Sequence, residues 1–343
     1  GPAAPGAGIP LDMKTTFVLP AVIVFSALLG AFPACAKGYA ERDEVQEFIR
    51  QISEKHGFAE PELRHLFSRV RRTEPVLEAI KPPPPKARSW EEYRGNFVND
   101  KRIAAGAEFW TKHRRALERA EQRYGVPAQY VVAIIGVETY YGRNAGRHRV
   151  MDALTTLAFD YAPRAPFFKS ELEHYLLLAR EQGKDAFSMR GSYAGAIGIP
   201  QFMPSSTRRY AVDFDGNGAV DLRKSPADAI GSVANFLKEH GWQPGAEVLL
   251  EARVGGDAWR ALADGSVDPK HAQSDLRAAG VEFDGLPEGV RAVLVELETP
   301  DRASDYRVGL HNFWVLTRYN RSAFYASAVH DLAQALKKGY LGR

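Results

Sequence analysis

An acid set into an apolar helix constrains this 343-residue chain more than any other feature. The stretch VVAIIGVETYYGRNAG, Val131 to Gly146, places Glu138 in line with Tyr130 and Ile134 at intervals of four, with Val131 and Ile135 flanking the same stripe. Pro127 suits a first helical position and Gly142 an exit. The spacing turns Glu138 toward a core. There its charged form loses hydration, its pKa rises, and it can hold a proton near neutral pH, as a general acid must. The competing reading is a helix-end carboxylate paired with Arg143 or Arg147.

A second segment, SYAGAIGIPQFMPSS from Ser192 to Ser206, is too rich in glycine for a helix interior and too apolar for a free loop. Its small residues, Ala194, Gly195, Ala196 and Gly198, let backbone approach a ligand closely, while Ser192 and Gln201 offer groups suited to sugar hydroxyls and N-acetyl groups. Without Glu138 upstream, a tight core crossing would be the favoured reading.

Together these segments resemble the lytic murein transglycosylase B family, glycoside hydrolase family 103. The resemblance runs through EEYRGNF around Tyr93, GVETYYGRNAG, GSYAGAIGIPQFMPSS, YAVDFDGNGAVDL, DAIGSVANFLKEHGW and LTRYNRSAFYASAV. It implies an α+β, mainly α fold: a lysozyme-like catalytic core, a helical domain built from both ends of the chain, and a small β-containing insertion. It places the catalytic acid and base on Glu138, lines the sugar subsites with Ser192 and Gln201, and shapes the groove with Tyr93, Tyr319, Asn320 and Tyr325. Phe236 stands where the family pattern has tyrosine, so stacking survives there and a hydroxyl contact does not.

Composition excludes one class of partner. Lysine and arginine number 45 against 42 acids, a formal charge of +3 that gives no basic field for nucleic acid. No phosphate-binding or dinucleotide-binding glycine motif is present. Met13 and Lys14 precede an apolar run from Phe17 to Leu29 and small residues at Ala34 and Ala36, the layout of a secretory signal peptide over 13–36, with 1–12 set aside as upstream of a natural start. The lone cysteine, Cys35, allows no internal disulfide and sits where a bacterial lipoprotein is lipidated, which would tie a periplasmic protein to the outer membrane. Cleavage after Ala36 would instead release it.

The pattern predicts short amphipathic helices from Glu41 to Ile80, then a connector at KPPPPKAR, within an N-terminal helical region of 37–100. A helical core follows over 101–244. EVLLEAR, VRAVLVELE, DYRVG and HNFWVLTRY carry strand-forming residues and read as a small sheet over 245–310 and just beyond. The segment 311–343 as a whole is expected to be a C-terminal helical segment that completes the groove. Inside the core, Asp213, Asp215, Asn217, Gly218, Ala219 and Asp221 match an EF-hand loop until Lys224, which stands where a bidentate glutamate belongs. Asp228 can supply the last carboxylate of a lengthened loop over 213–228, so a structural calcium ion is expected, with no cofactor for catalysis.

A hydrolase needs a second carboxylate roughly 5 Å away if retaining, or about 6.5 to 9.5 Å away if inverting. Asp152 and Asp160 are nearest in sequence and read as structural. With one acid, the resemblance implies a lytic transglycosylase acting on peptidoglycan glycan strands and leaving 1,6-anhydromuramic acid ends. The rivals are a lysozyme-type muramidase and a non-catalytic peptidoglycan-binding scaffold. Partners among cell-wall synthesis or division proteins are left open.

Overall fold

The computed structural model describes residues 38–82 and 89–341. The signal segment, Cys35 and most of the proline connector lie outside them. The chain is mainly helical with small antiparallel sheets, as expected.

Three helices open it: α1 (Asp43–His56), α2 (Glu60–Ser68) and α3 (Glu74–Ile80). Val45, Phe48, Ile49 and Ile52 form the buried stripe of α1, and a left-handed Gly57 closes the helix. These helices bury their apolar faces on α8 (Val150–Asp160) and α9 (Ala165–Glu181). The region 37–100 therefore divides. Its last helix, α4 (Trp90–Phe97), packs instead on the C-terminal α14 (Ala323–Leu341), beside α5 (Asp100–Lys112).

The larger hydrophobic core surrounds α7 (Ala128–Thr139), which is buried on all sides from Ala128 to Gly136 except at Gln129. It packs between α5, α6 (Arg114–Tyr124), α11 (Pro226–Glu239) and α14. Pro127 is the N-cap rather than the first helical residue. The helix ends at Thr139, three residues before Gly142, because Tyr140 and Tyr141 both adopt the left-handed conformation. That strain is held by packing. A Cβ at Gly136 would come within 2.7 Å of the Tyr141 ring, and the Tyr141 hydroxyl donates to the Arg102 carbonyl at 2.8 Å.

The chain continues through β1 (His148–Arg149), which pairs with β2 (Arg190–Gly191), to α10 (Pro204–Tyr210). The insertion contributes β3 (Leu249–Val254), α12 (Gln273–Ala278), β4 (Val281–Glu282), β5 (Val293–Leu297) and β6 (Asp305–Gly309). Its antiparallel sheet has the order β4-β3-β6-β5, and the insertion carries its own core around Trp259, Leu276, Phe283 and Leu294. HNFWVLTRY does not join the sheet. It forms α13 (His311–Tyr319), because Asn312 is buried and its side-chain amide closes on the Gln243 and Ala246 carbonyls and the Gln243 N–H. A short apolar run is ambiguous by periodicity alone, and this tertiary anchor decides it.

A nearly buried ion cluster ties the insertion to the helical body. Asp331 on α14 accepts from Arg307 of β6 at 2.6 and 3.0 Å and from Arg94 of α4 at 2.6 Å. Trp90 of α4 adds a 3.0 Å bond to Asp305.

Candidate active site

Glu138 is the next-to-last residue of α7, partly buried where the helix meets the start of α14. The Tyr325 hydroxyl of α14 donates to its Oε1 at 2.6 Å. Burial pushes the carboxyl up to about 7, and the Tyr325 hydrogen bond pulls in the opposite direction. Arg143 faces Glu108 instead, so the helix-end ion pair is not formed. Burial, and then the neighbouring Glu138 charge, hold the Tyr325 phenol well above its ordinary value, so it remains a donor.

The glycine-rich loop is held against this helix end. Thr139 donates its hydroxyl to the Ile199 carbonyl at 2.8 Å and accepts from the Gly142 N–H at 2.9 Å. The loop zips on itself through Ile197 N–H to the Phe202 carbonyl at 2.7 Å and Ser192 N–H to the Ala196 carbonyl at 2.9 Å. Gly198, with φ +73°, lies so close to the Leu222 carbonyl that a Cβ would approach it to 2.5 Å.

Gln201, at φ +53°, donates its amide to the Gly198 carbonyl at 2.9 Å and to the Ala145 carbonyl at 3.3 Å, leaving its side-chain oxygen for a ligand. Ser192 Oγ accepts from the Ala194 and Ala196 N–H groups, so its hydroxyl hydrogen is what it can offer. Tyr319 donates to the Pro200 carbonyl at 2.6 Å, stacks on Tyr325 at 6.5 Å, and meets Phe236 at 4.8 Å. Gln201, Phe236 and Tyr319 line a cleft of about 550 Å³, and Ala145 lines a second of about 450 Å³ with Arg143, Arg147 and Arg223.

The structure thus joins Glu138, Gln201, Tyr319, Tyr325 and Phe236 through a chain of contacts. Tyr93 sits in an aromatic group with Trp90, Phe97 and Phe324, near enough to Tyr325 to raise that phenol's titration. Asn320 is exposed at the end of α13. Sequence reasoning missed Thr139 and Pro200. Both lie inside the two motifs, but nothing in their spacing shows that one motif bonds the other. Asp152 and Asp160 are engaged elsewhere, Asp152 by Arg149 at 2.6 Å and the Arg71 N–H, and Asp160 by Arg42 at 2.8 Å and the Tyr39 hydroxyl.

Beyond the site, oxygens of Asp213, Asp215 and Asp228 lie within 4.8 Å of one another. Asp228 is fully buried and accepts from the Phe214, Asp215 and Asp221 N–H groups, so it organises the whole loop. Asp213 gathers the Gly216, Asn217 and Gly218 N–H groups, which hold its carboxyl below the usual range. Asp221 stands outside this group of carboxylates and accepts from Arg223 and Lys224 N–H, while the Asn217 side chain accepts from Ala219 N–H.

Residues 40–334 match the transglycosylase SLT domain. The chain is 42% identical over 308 residues to membrane-bound lytic murein transglycosylase B of Escherichia coli K12, covering 87% of this chain and 84% of that protein. The chain belongs to the lytic murein transglycosylase B family. Catenated lytic transglycosylase SltB1 of Pseudomonas aeruginosa superposes with a TM-score of 0.84 at 48% identity, over 88% of this chain and 99% of that one. SltB3 of the same organism, solved in complex with NAG-anhNAM-pentapeptide, gives a TM-score of 0.74 at 32% identity, over 86% of this chain and 79% of that one. This family member is a peptidoglycan lytic transglycosylase, and glycan strands are what it binds.

The Tyr325 contact makes a prediction about pH. A hydrogen bond to a charged group is worth about 1.5–3 kcal/mol, and here it favours the ionised carboxylate. Tyr325→Phe removes it, so the Glu138 carboxyl rises further and the alkaline limb of the kcat/KM profile moves to higher pH. An unmoved limb would show that the phenol does not set the acidity of Glu138.

Proposed function

We propose that Glu138 works alone, first as acid and then as base, to break the β-1,4 bond between N-acetylmuramic acid and N-acetylglucosamine without water. The observation that carries this reading is the setting of Glu138: burial pushes its carboxyl up to about 7, and the Tyr325 hydroxyl donates to it at 2.6 Å. With a pKa near 7 it is substantially protonated at neutral pH. It gives its proton to the glycosidic oxygen as the bond to muramic C1 breaks. The developing cation at C1 is stabilised by that sugar's own N-acetyl carbonyl. Glu138, now anionic and still receiving the Tyr325 hydrogen bond, takes the proton of the C6 hydroxyl while its oxygen closes on C1. One C–O bond is exchanged for another, the carboxyl regains its proton, and no water is consumed. The anhydro sugar in the ligand of SltB3 supports the same product here.

Glu138→Gln tests the reading on two fronts. Mass spectrometry of muropeptides released by the wild-type protein should show products one water lighter than reducing-end muropeptides, and the variant should release essentially none; reducing ends from the wild type would make it a hydrolase. The folded-state pKa is raised, so its contribution to stability is full below the unfolded value of 4.5 and is lost as pH rises through about 7. The variant should therefore gain on the order of 3 kcal/mol over wild type between pH 4 and pH 8 in denaturant unfolding.

The acidic loop fits a structural calcium ion, in our reading. Its donors are hard carboxylate oxygens at EF-hand spacing, with Asp228 closing the loop from the first turn of α11 in place of the residue at Lys224. Asp213, Asp215 and Asp228 would hold the ion, with the Asn217 side chain, the Ala219 carbonyl and Asp221 as the further donors of the motif. It would brace the loop and take no part in proton transfer. Saturating calcium should raise Tm by a few degrees, as about 2.7 kcal/mol at a hundred times Kd requires, and Asp215→Asn should lose that rise.

Export and attachment complete the reading. No described helix is long and apolar enough to cross a membrane. A signal peptide ending before Cys35, with lipid on that cysteine, would hold the enzyme at the periplasmic face of the outer membrane, and the membrane-bound relative supports this. Protein expressed in a Gram-negative host should carry lipid on its N-terminal fragment and lose it in Cys35→Ala. A fragment cut after Ala36 would show a soluble enzyme instead.

A further inference from the structure

The exit of α7 follows an unfavourable backbone path, and one arginine of α5 holds it. Tyr140 at φ +50° and Tyr141 at φ +60° turn left-handed in succession, a conformation that residues other than glycine rarely take. Another turn of helix would carry Tyr141, three residues on, across the face that presents Glu138, so this exit is what leaves the acid uncovered. Arg102, in the first turn of α5, grips it three ways. Its Nη1 donates to the Gly136 carbonyl in the last turn of α7, its guanidinium lies 4.7 Å from the centre of the Tyr140 ring, and its own carbonyl accepts the Tyr141 hydroxyl at 2.8 Å. The guanidinium also lies over the Phe97 ring at 5.3 Å, and Arg143 lies over the Tyr140 ring at 5.1 Å. The charge sits at the carbonyl end of α7, where the helix dipole favours a cation. Burial lowers the Arg102 pKa and leaves its Nε without a hydrogen-bond partner, so a less costly residue would serve if packing were the only need. Thr139 belongs to the same turn: its carbonyl accepts from the Asn144 N–H at 2.9 Å while its hydroxyl holds the glycine-rich loop.

We propose that Arg102 is a positioning residue for the reaction: it holds the left-handed exit of α7, and through that turn it fixes Glu138 against Tyr325 and Thr139 against the glycine-rich loop. The proposal rests on the reading of Glu138 as the acid and deepens it. Without the clasp the strained pair relaxes toward ordinary backbone, the last turn of α7 frays, water reaches the Glu138 carboxyl and the Thr139 link to Ile199 loosens. Binding through Tyr319 and Phe236, carried on α13 and α11, is spared, so the loss falls on kcat.

Arg102→Met in the full-length protein keeps an apolar stem and removes the donors and the charge. Its kcat on purified peptidoglycan strands should fall about tenfold or more, with KM within about threefold of wild type. Because the carboxyl gains water, the alkaline limb of its kcat/KM profile should move to lower pH, opposite to the shift in Tyr325→Phe. Tyr325 and Tyr319, the phenols that face Glu138 from α14 and α13, are both held well above their ordinary values by burial, so the limb reports Glu138. Adding Tyr140→Gly to Arg102→Met should restore most of the lost kcat, since glycine takes a positive φ without strain, and the double variant carries the test if Arg102→Met alone does not fold. Arg180→Met is the control. That arginine also donates to a carbonyl, of His56 at 2.8 Å, and lies over a ring, of Phe58 at 4.1 Å, but does so where α9 meets the end of α1, and its loss should leave kcat and the limb in place. An unchanged kcat in Arg102→Met, a fall with an unmoved limb, no recovery on adding Tyr140→Gly, or the same fall in Arg180→Met overturns the assignment. Anhydro products from the wild type test the cleavage chemistry separately.

Discussion

The Glu138 carboxyl is the constraint around which the molecule is arranged. Burying an ionisable group without a counter-charge is unfavourable, and α7 accepts one at its end because the group can stay protonated. That requires protein on most sides and an opening on one. The covering comes from distant parts of the chain: α14 brings Tyr325, α13 brings Tyr319, and the glycine-rich loop brings Pro200 and Gln201. None can shift alone, since Tyr319 donates to the loop, stacks on Tyr325 and touches Phe236. The site is a contact between chain ends, so the fold must bring the C-terminal helices back across α7.

The insertion sits within this scheme as a brace. It interrupts the chain between α11 and α13, and the helices that follow it carry both site tyrosines. Arg307 on β6 is nearly buried, and its charge is balanced by Asp331, one helix face along α14 from Tyr325. A buried charge cluster of this kind contributes little net stability compared with an apolar core, but it penalises every arrangement in which the partners separate. It therefore fixes the position of α14 on the sheet, and with it the phenol that faces Glu138. Arg94 on the same carboxylate draws α4 and its aromatic group to the same helix.

Legibility in the sequence followed the range of the interactions. Glu138, the α1 stripe and the β-rich insertion were readable because a local period or composition specifies each. HNFWVLTRY was misread because its aromatic and β-branched residues suit a strand, while the buried Asn312 that makes it a helix finds its partners about seventy residues earlier in the chain. The exit of α7 was placed at Gly142 because glycine is the usual left-handed residue, whereas packing of Tyr141 against Gly136 and Gly106 holds two tyrosines there instead. Tyr325 was named as a groove residue through family resemblance, but its bond to the acid depends on a helix crossing that no spacing encodes.

The acidic loop, remote from the chemistry in sequence, is mechanically close to it. Leu222, one residue past Asp221, offers its carbonyl to the Ile199 N–H at 2.8 Å, and the Ile199 carbonyl in turn receives the Thr139 hydroxyl beside Glu138. Arg223 reaches across to the Gly146 and Arg190 carbonyls at 3.1 and 3.2 Å, clasping the strand pair that frames the second cleft. Asp228 holds the far side of the loop through three backbone N–H groups from the first turn of α11, the helix that carries Phe236, and its own N–H donates to the capping Ser225 hydroxyl. Order in this loop is thereby transmitted to the glycine-rich segment by backbone hydrogen bonds in which side-chain identity matters little. That is why a run of small residues can form a rigid sugar site: its shape is set from behind, and the absence of Cβ atoms at Gly195 and Gly198 is what allows Leu154 and Leu222 to press so close.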